Sequence, residues 1–516
     1  MAHAKIVDSV PLDCPAAQEV GFVIPERYNA ADILFSNQEN GRGNNIALYH
    51  DGGAVTYDEL CGYASQCGNA LNGQALSPSS RVLMLLDDSP VYPAAIFGAI
   101  RAGYVPVLIN TLSTPDLVGY YLADADAEVA IVEAGLCHLL TTDTVQNTAL
   151  RLLVVANGPV PADLPVDAVA WDDWIGAESA VLEAADTHRD DMAFWMYSSG
   201  STGRPKGIVH LQHDMPYVHA CYGKDILRIT ERDICFSPPK IFFAYGFGNS
   251  ITFPFSVGAA SVLCRGRPVA ETIFGFIERF RPTLFFGLPT LYNGLMNDNS
   301  CSKADLSSVR MCLSAAEILS EDLFNAWRDR FGHEIVEGLG STELLHMYLS
   351  NTPESKRPGS AGRRVPGFEF KLLDADDRPV QGDGEGILWV RAPSSAPCYW
   401  NKPDKTAETM RGEWIFTGDR FYRDADGFYF FLGRADDLIK VSGQWVYPME
   451  VEHCLADHPA VRECAVMGLA LKDKRMVLKA CVAVADGYHP GDDLTRDMQD
   501  YVKSHLVRFK YPRIVE

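Results

Sequence analysis

From Arg81 the chain alternates between short apolar runs and longer amphipathic stretches. RVLMLL (81–86) is an aliphatic run, PVYPAAIFGAIRAG (90–103) has helical spacing, VPVLIN (105–110) is a second run, and TPDLVGYYLADA (114–125) is helical again. Apolar runs separated by helical stretches mark βαβ units, which require a parallel sheet. The alternation returns at VAIV (129–132), LRLLVVA (150–156) and AFWMYS (193–198), and again at TLFFGL (283–288) and VRMCLSA (309–315). After about Lys371 the texture changes to short strands broken by Gly, Asp and Pro, as in GEGILWV, GEWIFTGD and GFYFFLGR, which predicts a β-rich subregion. From Asp436, helical MEVEHCLADHP and TRDMQDYVKSHL flank strand-like ECAVMGLA and KACVAVA, the pattern of a small α+β domain. The expected class is α/β: a large N-terminal α/β body with parallel sheets and a β-rich subregion, residues 1–434, and a small α+β C-terminal domain, residues 435–516.

Length agrees with that division, because 516 residues exceed the roughly 250–300 that one hydrophobic core supports. Composition is that of a globular chain, 47% hydrophobic and 22% charged, with enough apolar material for a large core. Charge narrows the partners. With 45 Lys plus Arg against 67 Asp plus Glu, the formal charge of −22 repels phosphate backbones, so nucleic acid is a poor partner. A nucleotide is still compatible, since backbone N–H groups and one lysine can bind phosphate locally. Thirteen cysteines without a CxxC pair suggest neither a zinc knuckle nor a disulfide framework and read as reduced thiols. The N-terminus has no apolar core of a signal peptide, and no stretch approaches a membrane span of roughly 18 apolar residues. The expectation is a cytoplasmic enzyme without a membrane partner; a homodimer is left open.

The densest chemistry lies at 197–207, YSSGSTGRPKG, where three glycines, four serine or threonine hydroxyls and two cations follow a predicted strand. Glycines let the backbone turn N–H groups inward, Ser198, Ser199, Ser201 and Thr202 offer hydroxyls, and Lys206 adds a point charge. A polar surface turn seldom concentrates these types so tightly. The loop is not a Walker A sequence, because Pro205 precedes and Gly207 follows Lys206. It resembles the signature loop of the adenylate-forming superfamily of acyl-CoA synthetases, luciferases and peptide-synthetase adenylation domains. The resemblance extends along nearly the whole chain: GLGSTE (338–343) is similar to the family's second core motif, TGD (417–419) to its third and GRADDLIKVSG (433–443) to its hinge motif.

That resemblance implies attack of a carboxylate on the α-phosphorus of ATP, then thiolate attack on the acyl-adenylate, with ATP, Mg²⁺ and coenzyme A as cofactors. Both steps develop charge on oxygen, so fixed donors and a metal are expected rather than a covalent nucleophile. By the same resemblance Thr202, Lys206, Thr342 and Glu343 are catalytic, with Glu343 the Mg²⁺ carboxylate. Ser198, Ser199, Gly200, Ser201 and Gly203 would cradle phosphate. Ala315, Ala316 and Glu317, with Gly338, Leu339, Gly340 and Ser341, would border the nucleotide. Asp419 would read the ribose diol as an acceptor-only group, with Arg434 beside it and Lys440 and Gly443 in the same set. Asp436 falls at the hinge, about which the small domain would be mobile; its bland alternative is a plain loop Asp.

The runs KIFFAYGFGN (240–249) and LLHMY (344–348) closely resemble those of benzoate-CoA ligases and ring-substituted relatives. Ala244, Tyr245, Gly246, Gly287, Leu345 and His346 match the acyl-pocket positions, as does Leu339. Small residues beside flat aromatic walls suit a planar ring. The run 241–249 lacks an acidic residue where amino-acid-activating relatives carry Asp, which argues against an α-amino acid. A lone His is more often structural; His346 is assigned to the pocket on position. The partners implied are a small aromatic carboxylate such as benzoate or 2-aminobenzoate, ATP and CoA. The family's terminal lysine motif would be expected just past 509–516, FKYPRIVE, so either a tail lies beyond this sequence or adenylation is slow. Two rival readings share the motifs: an enzyme that loads a carrier protein, and a non-catalytic adenylate binder.

Overall fold

The structure is a computed structural model that describes residues 10–198, 203–317, 319–437, 439–441, 444–471, 475–485 and 487–516, with the backbone alone at 303, 436, 440 and 445. Contacts divide the chain into two compact units, Met1–Glu369 with Val390–Ile415, and Phe370–Trp389 with Phe416–Glu516. The boundary expected at 434/435 falls inside the second unit; it concerns where a hinge would turn rather than where contacts thin out.

Two sheets form the frame of the first unit. Among the described residues, one has seven strands in the order Asp167–Ala170, Leu152–Ala156, Val129–Glu133, Arg81–Leu85, Val105–Leu108, Met192–Ser198, Lys206–Leu211. Its inner strands are parallel and buried on both faces, the reason they read as continuous apolar runs rather than alternating ones. Helix Val91–Arg101 supplies the crossover between Arg81–Leu85 and Val105–Leu108. Against it packs helix Tyr57–Asn72, started by a capping box in which Thr56 and Glu59 satisfy each other's backbone N–H groups. The two helices approach closely because Gly68 and Gly98 face one another; a Cβ on Gly98 would stand 2.5 Å from the Ala64 carbonyl oxygen.

The second sheet has nine strands among the described residues, with a parallel centre that includes Leu284–Gly287, Met311–Ser314 and Ile335–Gly340 in adjacent positions. Its ends are antiparallel, as is the last pair of the first sheet. The predicted parallel sheets are therefore mixed. Strands with no helical crossover behind them turn straight back: Met192–Ser198 returns as Lys206–Leu211, and Ile335–Gly340 as Met347–Ser350. Both reversals carry motif residues. The carboxyl ends of neighbouring parallel strands are where open α/β sheets bind ligands.

The second unit contains strands Val461–Ala470, Met476–Val484 and Ile514–Val515 in one sheet, with helices Pro448–Ala456 and Asp492–His505. Val451, Leu455, Leu478, Met498 and Val502 fill its core. This is the predicted α+β pattern. Among the described residues no helix is long and apolar enough to cross a membrane.

Candidate active site

The phosphate-type loop is entered from strand Met192–Ser198 and left through Lys206–Leu211, with Ser198 paired in register to Lys206. Ser199, Gly200, Ser201 and Thr202 lie outside the described residues. The flanks are held firmly. Tyr120 Oη donates to the Pro205 carbonyl at 2.8 Å. Tyr197 Oη donates to Asp124 Oδ2 at 2.8 Å, and Lys402 Nζ reaches Asp124 Oδ1 at 2.8 Å. Burial, reinforced by the Asp124 charge, pushes the Tyr197 hydroxyl far up, so it stays a donor. Gly203 sits at φ 158°. Lys206 Nζ stands 4.1 Å from the centroid of the Tyr399 ring, a cation–π distance.

Tyr399 joins this loop to the second motif. It bridges Ile208 on one side, and its hydroxyl donates to Glu343 Oε1 at 2.7 Å. The Ala396 N–H donates to the Glu343 carbonyl at 2.7 Å, and Ser394 Oγ to the Leu344 carbonyl at 3.2 Å. Glu343 and Lys206 are thus brought to one ring. Nothing local marks Tyr399, Asp124 or Tyr120 as site residues; only their position in the fold does.

The motif turn itself is tight. The Leu345 N–H donates to the Thr342 carbonyl at 3.0 Å, with Leu345 at φ 69°, a positive-φ conformation costly for a bulky side chain. Gly340 is required by space, since a Cβ there would lie 2.4 Å from the His346 carbonyl oxygen.

Beside this turn opens a cavity of about 470 Å³ lined by Ala244, Tyr245, His346, Met347, Ala315, Ala316, Gly340, Ser341 and Thr342, with Pro238, Pro239, Lys240, Phe243, Pro268, Leu288 and Leu291. The expected acyl residues Ala244, Tyr245 and His346 therefore share one space with nucleotide-side residues from the carboxyl ends of the parallel strands. Gly246, Gly287 and Leu345 are not among the lining residues. Gly246 makes room for backbone, as its Cβ would stand 2.1 Å from the Lys240 carbonyl oxygen, and the space at Gly287 is taken by the Tyr292 ring. Leu345 is buried, as is Leu344 before it. Gly338 abuts Met347, and Leu339 pairs with Leu349 across the strand reversal.

His346 is buried against Phe253, Tyr222 and Tyr245, with ring centroids 4.6, 5.0 and 5.8 Å away. Burial lowers its pKa to about 3 against a smaller upward pull from the Tyr245 backbone, so the ring is neutral. Neither of its nitrogens, nor the buried Tyr245 hydroxyl, has a full hydrogen bond among the described residues. Glu317 is committed to protein instead: its carboxylate accepts the Thr290 N–H at 2.9 Å and the Thr290 hydroxyl. Ala316, next to it, holds φ 70°.

In the second unit Asp419 pairs with Arg434 across two antiparallel strands. Arg434 Nη1 reaches Asp419 Oδ1 and the Thr417 carbonyl, each at 3.0 Å, and the Asp419 N–H donates to Thr417 Oγ1 at 3.0 Å. Lys440 lies on strand Ile439–Val441 and Asp436 in the turn Ala435–Asp437, with both side chains outside the description; Gly443 lies outside the described residues altogether. Among the described residues no three His, Cys, Asp or Glu side chains converge as a metal cage.

Comparison with known proteins fits this geometry. The AMP-binding enzyme family matches residues 35–400, and its C-terminal domain matches 450–516. The chain is 42% identical to the benzoate–CoA ligase of Thauera aromatica over 96% of this chain and 93% of that one. It is 37% identical to the 4-hydroxybenzoate–CoA/benzoate–CoA ligase of Rhodopseudomonas palustris, over 95% and 90%. The crystal structure of the anthranilate CoA ligase AuaEII with anthranoyl-AMP superposes with a TM-score of 0.89 at 37% identity, covering 98% of this chain and 95% of that one. The chain therefore belongs to the AMP-binding, adenylate-forming enzyme family and resembles its aryl-CoA ligases along nearly its whole length.

Proposed function

We propose that this chain is an aryl-CoA ligase that activates benzoate or a ring-substituted relative such as 2-aminobenzoate, through an aryl-adenylate, to the CoA thioester. The single observation that carries the reading is the shared cavity. Ala244, Tyr245 and His346 bound a largely apolar space that continues to Gly340, Ser341 and Thr342, so a flat ring held by the former presents its carboxylate to the latter. Proximity of this kind turns a bimolecular attack into an effectively unimolecular one.

In this reading Lys206 and the 198–203 loop hold the phosphates of ATP, and Thr342 donates to a phosphate oxygen. Glu343 would hold Mg²⁺, whose remaining ligands would come from phosphate and water; one carboxylate already oriented by Tyr399 fits such a hard cation. When bound, the metal would offset the phosphate charge that builds up during attack. Asp419, steadied by Arg434, accepts the ribose hydroxyls, and Asp436 is the hinge on which the C-terminal residues turn between adenylation and thiolation. His346 and Tyr245, neither with a full hydrogen bond among the described residues, favour a ring bearing an amino or hydroxyl group.

The test is a panel of benzoate, 2-aminobenzoate, 4-hydroxybenzoate, phenylacetate and medium-chain fatty acids, scored for acyl-CoA formation. The same panel is run with a phosphopantetheinyl carrier protein as acceptor. A preference for a fatty acid of eight carbons or more would remove the aromatic assignment, and exclusive transfer to the carrier would remove CoA.

A further inference from the structure

Beneath the second motif lies a buried line of ionisable groups that the proposed chemistry does not use. His210, His213 and Asp214 are all without solvent exposure. His210 Nδ1 meets Asp214 Oδ2 at 2.8 Å, and its Nε2 meets the Thr342 carbonyl oxygen at 2.9 Å. His213 Nε2 lies 3.3 Å from Asp214 Oδ1 and 3.1 Å from the Pro393 carbonyl. Its Nδ1 lies 2.8 Å from the Arg189 carbonyl and 3.2 Å from Asp190 Oδ1. Asp190, at the far end, is partly exposed.

Every ring nitrogen in this line faces acceptors only. A carbonyl oxygen only accepts, so the His210 Nε2 that faces Thr342 carries the proton of that contact. Asp214 Oδ2 is itself anchored, because it also accepts the Leu211 N–H at 3.0 Å. The His210 ring is therefore fixed at both nitrogens, by Asp214 Oδ2 on one side and by the Thr342 carbonyl on the other. The Phe194 ring stacks on His210 with centroids 5.0 Å apart and planes at 21°, and Phe247 stacks on Phe194 from the acyl-pocket side.

We infer that His210 is a positioning residue, held by Asp214 so that its Nε2–H fixes the Thr342 carbonyl and sets the motif turn that registers the nucleotide side of the site to the acyl pocket. The Thr342 carbonyl is the node of that turn: it also takes the Leu345 N–H. From the turn, Glu343 leads to Tyr399 and His346 leads into the cavity. One donor thus governs both halves of the site. A histidine that merely fills the core would govern neither.

The inference rests on the proposed ligase reading for its kinetics but not for its spectroscopy. In the wild-type protein labelled with ¹⁵N-histidine, with His210→Gln used to assign the signal, the His210 Nε2 should carry a proton hydrogen-bonded to the Thr342 carbonyl. In kinetics, His210→Phe keeps the stacked ring and removes both hydrogen bonds; KM for MgATP and KM for the aryl acid should rise together by roughly tenfold, the change expected for about 1.4 kcal/mol. His210→Gln should recover part of each, because its carboxamide N–H can still reach the Thr342 carbonyl. A His210 Nε2 that carries no proton overturns the inference. So does a His210→Phe protein that loses thermal stability while both KM values stay at wild type. If no aryl acid is turned over by the wild type, the ligase reading fails, and the ¹⁵N result still decides the state of His210.

Discussion

Tyr399 donates its hydroxyl proton to Glu343 at 2.7 Å while its ring lies 4.1 Å from the Lys206 ammonium. The two charged residues assigned to phosphate and metal are therefore set on the edge and the face of one aromatic side chain. Tyr399→Phe separates the two contacts, because it keeps the ring and removes the hydroxyl. A hydrogen bond to a charged group contributes about 1.5–3 kcal/mol, so pyrophosphate release should slow by roughly ten- to a hundredfold. Glu343→Gln should slow it by about 10²–10³, as expected for loss of a charge-stabilising group. An unchanged rate in Glu343→Gln would take that residue out of the mechanism.

Ala244 lines the cavity with almost no solvent exposure. Ala244→Leu would place three more carbons in the space assigned to the ring, and overpacking of this kind costs about 1–3 kcal/mol. The KM for benzoate-type acids should rise by roughly tenfold or more, with KM for MgATP unaltered. Equal benzoate kinetics in the two proteins would move the acyl site elsewhere.

Gly248 tests the same wall from behind. A Cβ there would stand 2.4 Å from His346 Cδ2 and 2.7 Å from Nε2, with Phe253 at 3.1 Å. Gly248→Ala must displace the His346 ring, so it should change the order of preference among substituted benzoates more than it changes use of ATP. The readout is the ratio of kcat/KM for 2-aminobenzoate to that for benzoate. A ratio equal to the wild type's in a folded Gly248→Ala protein would mean that His346 does not shape the ring site.

The inner strands of the first sheet are legible in the sequence because a strand buried on both faces must be apolar along its middle, as at 82–85 and 129–132. The antiparallel reversals at Lys206–Leu211 and Met347–Ser350 are not, since direction is decided by the partner strand and not by the run itself. Motif residues stand out by their density of Gly, Ser and Thr. Tyr399 does not, because its meaning arises from a partner 56 positions away. Gly246 reads in the sequence as a small pocket wall, but its lack of a side chain serves the close approach of the 239–240 backbone. Pattern shows that a glycine is needed without showing which neighbour needs it.

Glu337 ties the stability of the fold to pH. It lies on strand Ile335–Gly340, just before the second motif, and is buried, with Oε1 accepting the Leu319 N–H at 3.1 Å. Burial pushes its pKa up to about 8, the single backbone donor offsetting only part of that. An unfolded glutamate titrates near 4.3, so between about pH 4.5 and 8 the folded state holds a proton that the unfolded state releases. Stability rises with pH only where the unfolded state binds more protons; here it binds fewer, so this carboxyl lowers stability steadily across that window and by a constant amount above it. Glu337→Gln keeps an acceptor for the Leu319 N–H and removes the titration. The variant's Tm relative to the wild type should therefore climb as pH goes from 5 to 9. Each tenfold change in proton affinity between the folded and unfolded states corresponds to about 1.4 kcal/mol, so a gain of several degrees is expected. His346 pulls the other way: its folded pKa is lowered to about 3, so it adds stability as pH rises to its unfolded value of about 6.5. That contribution is common to both proteins and cancels in the difference. Thermal melts of the pair at half-unit steps of pH measure it directly, and a Tm difference that stays flat from pH 5 to 9 would show that Glu337 is ionised in the folded protein throughout.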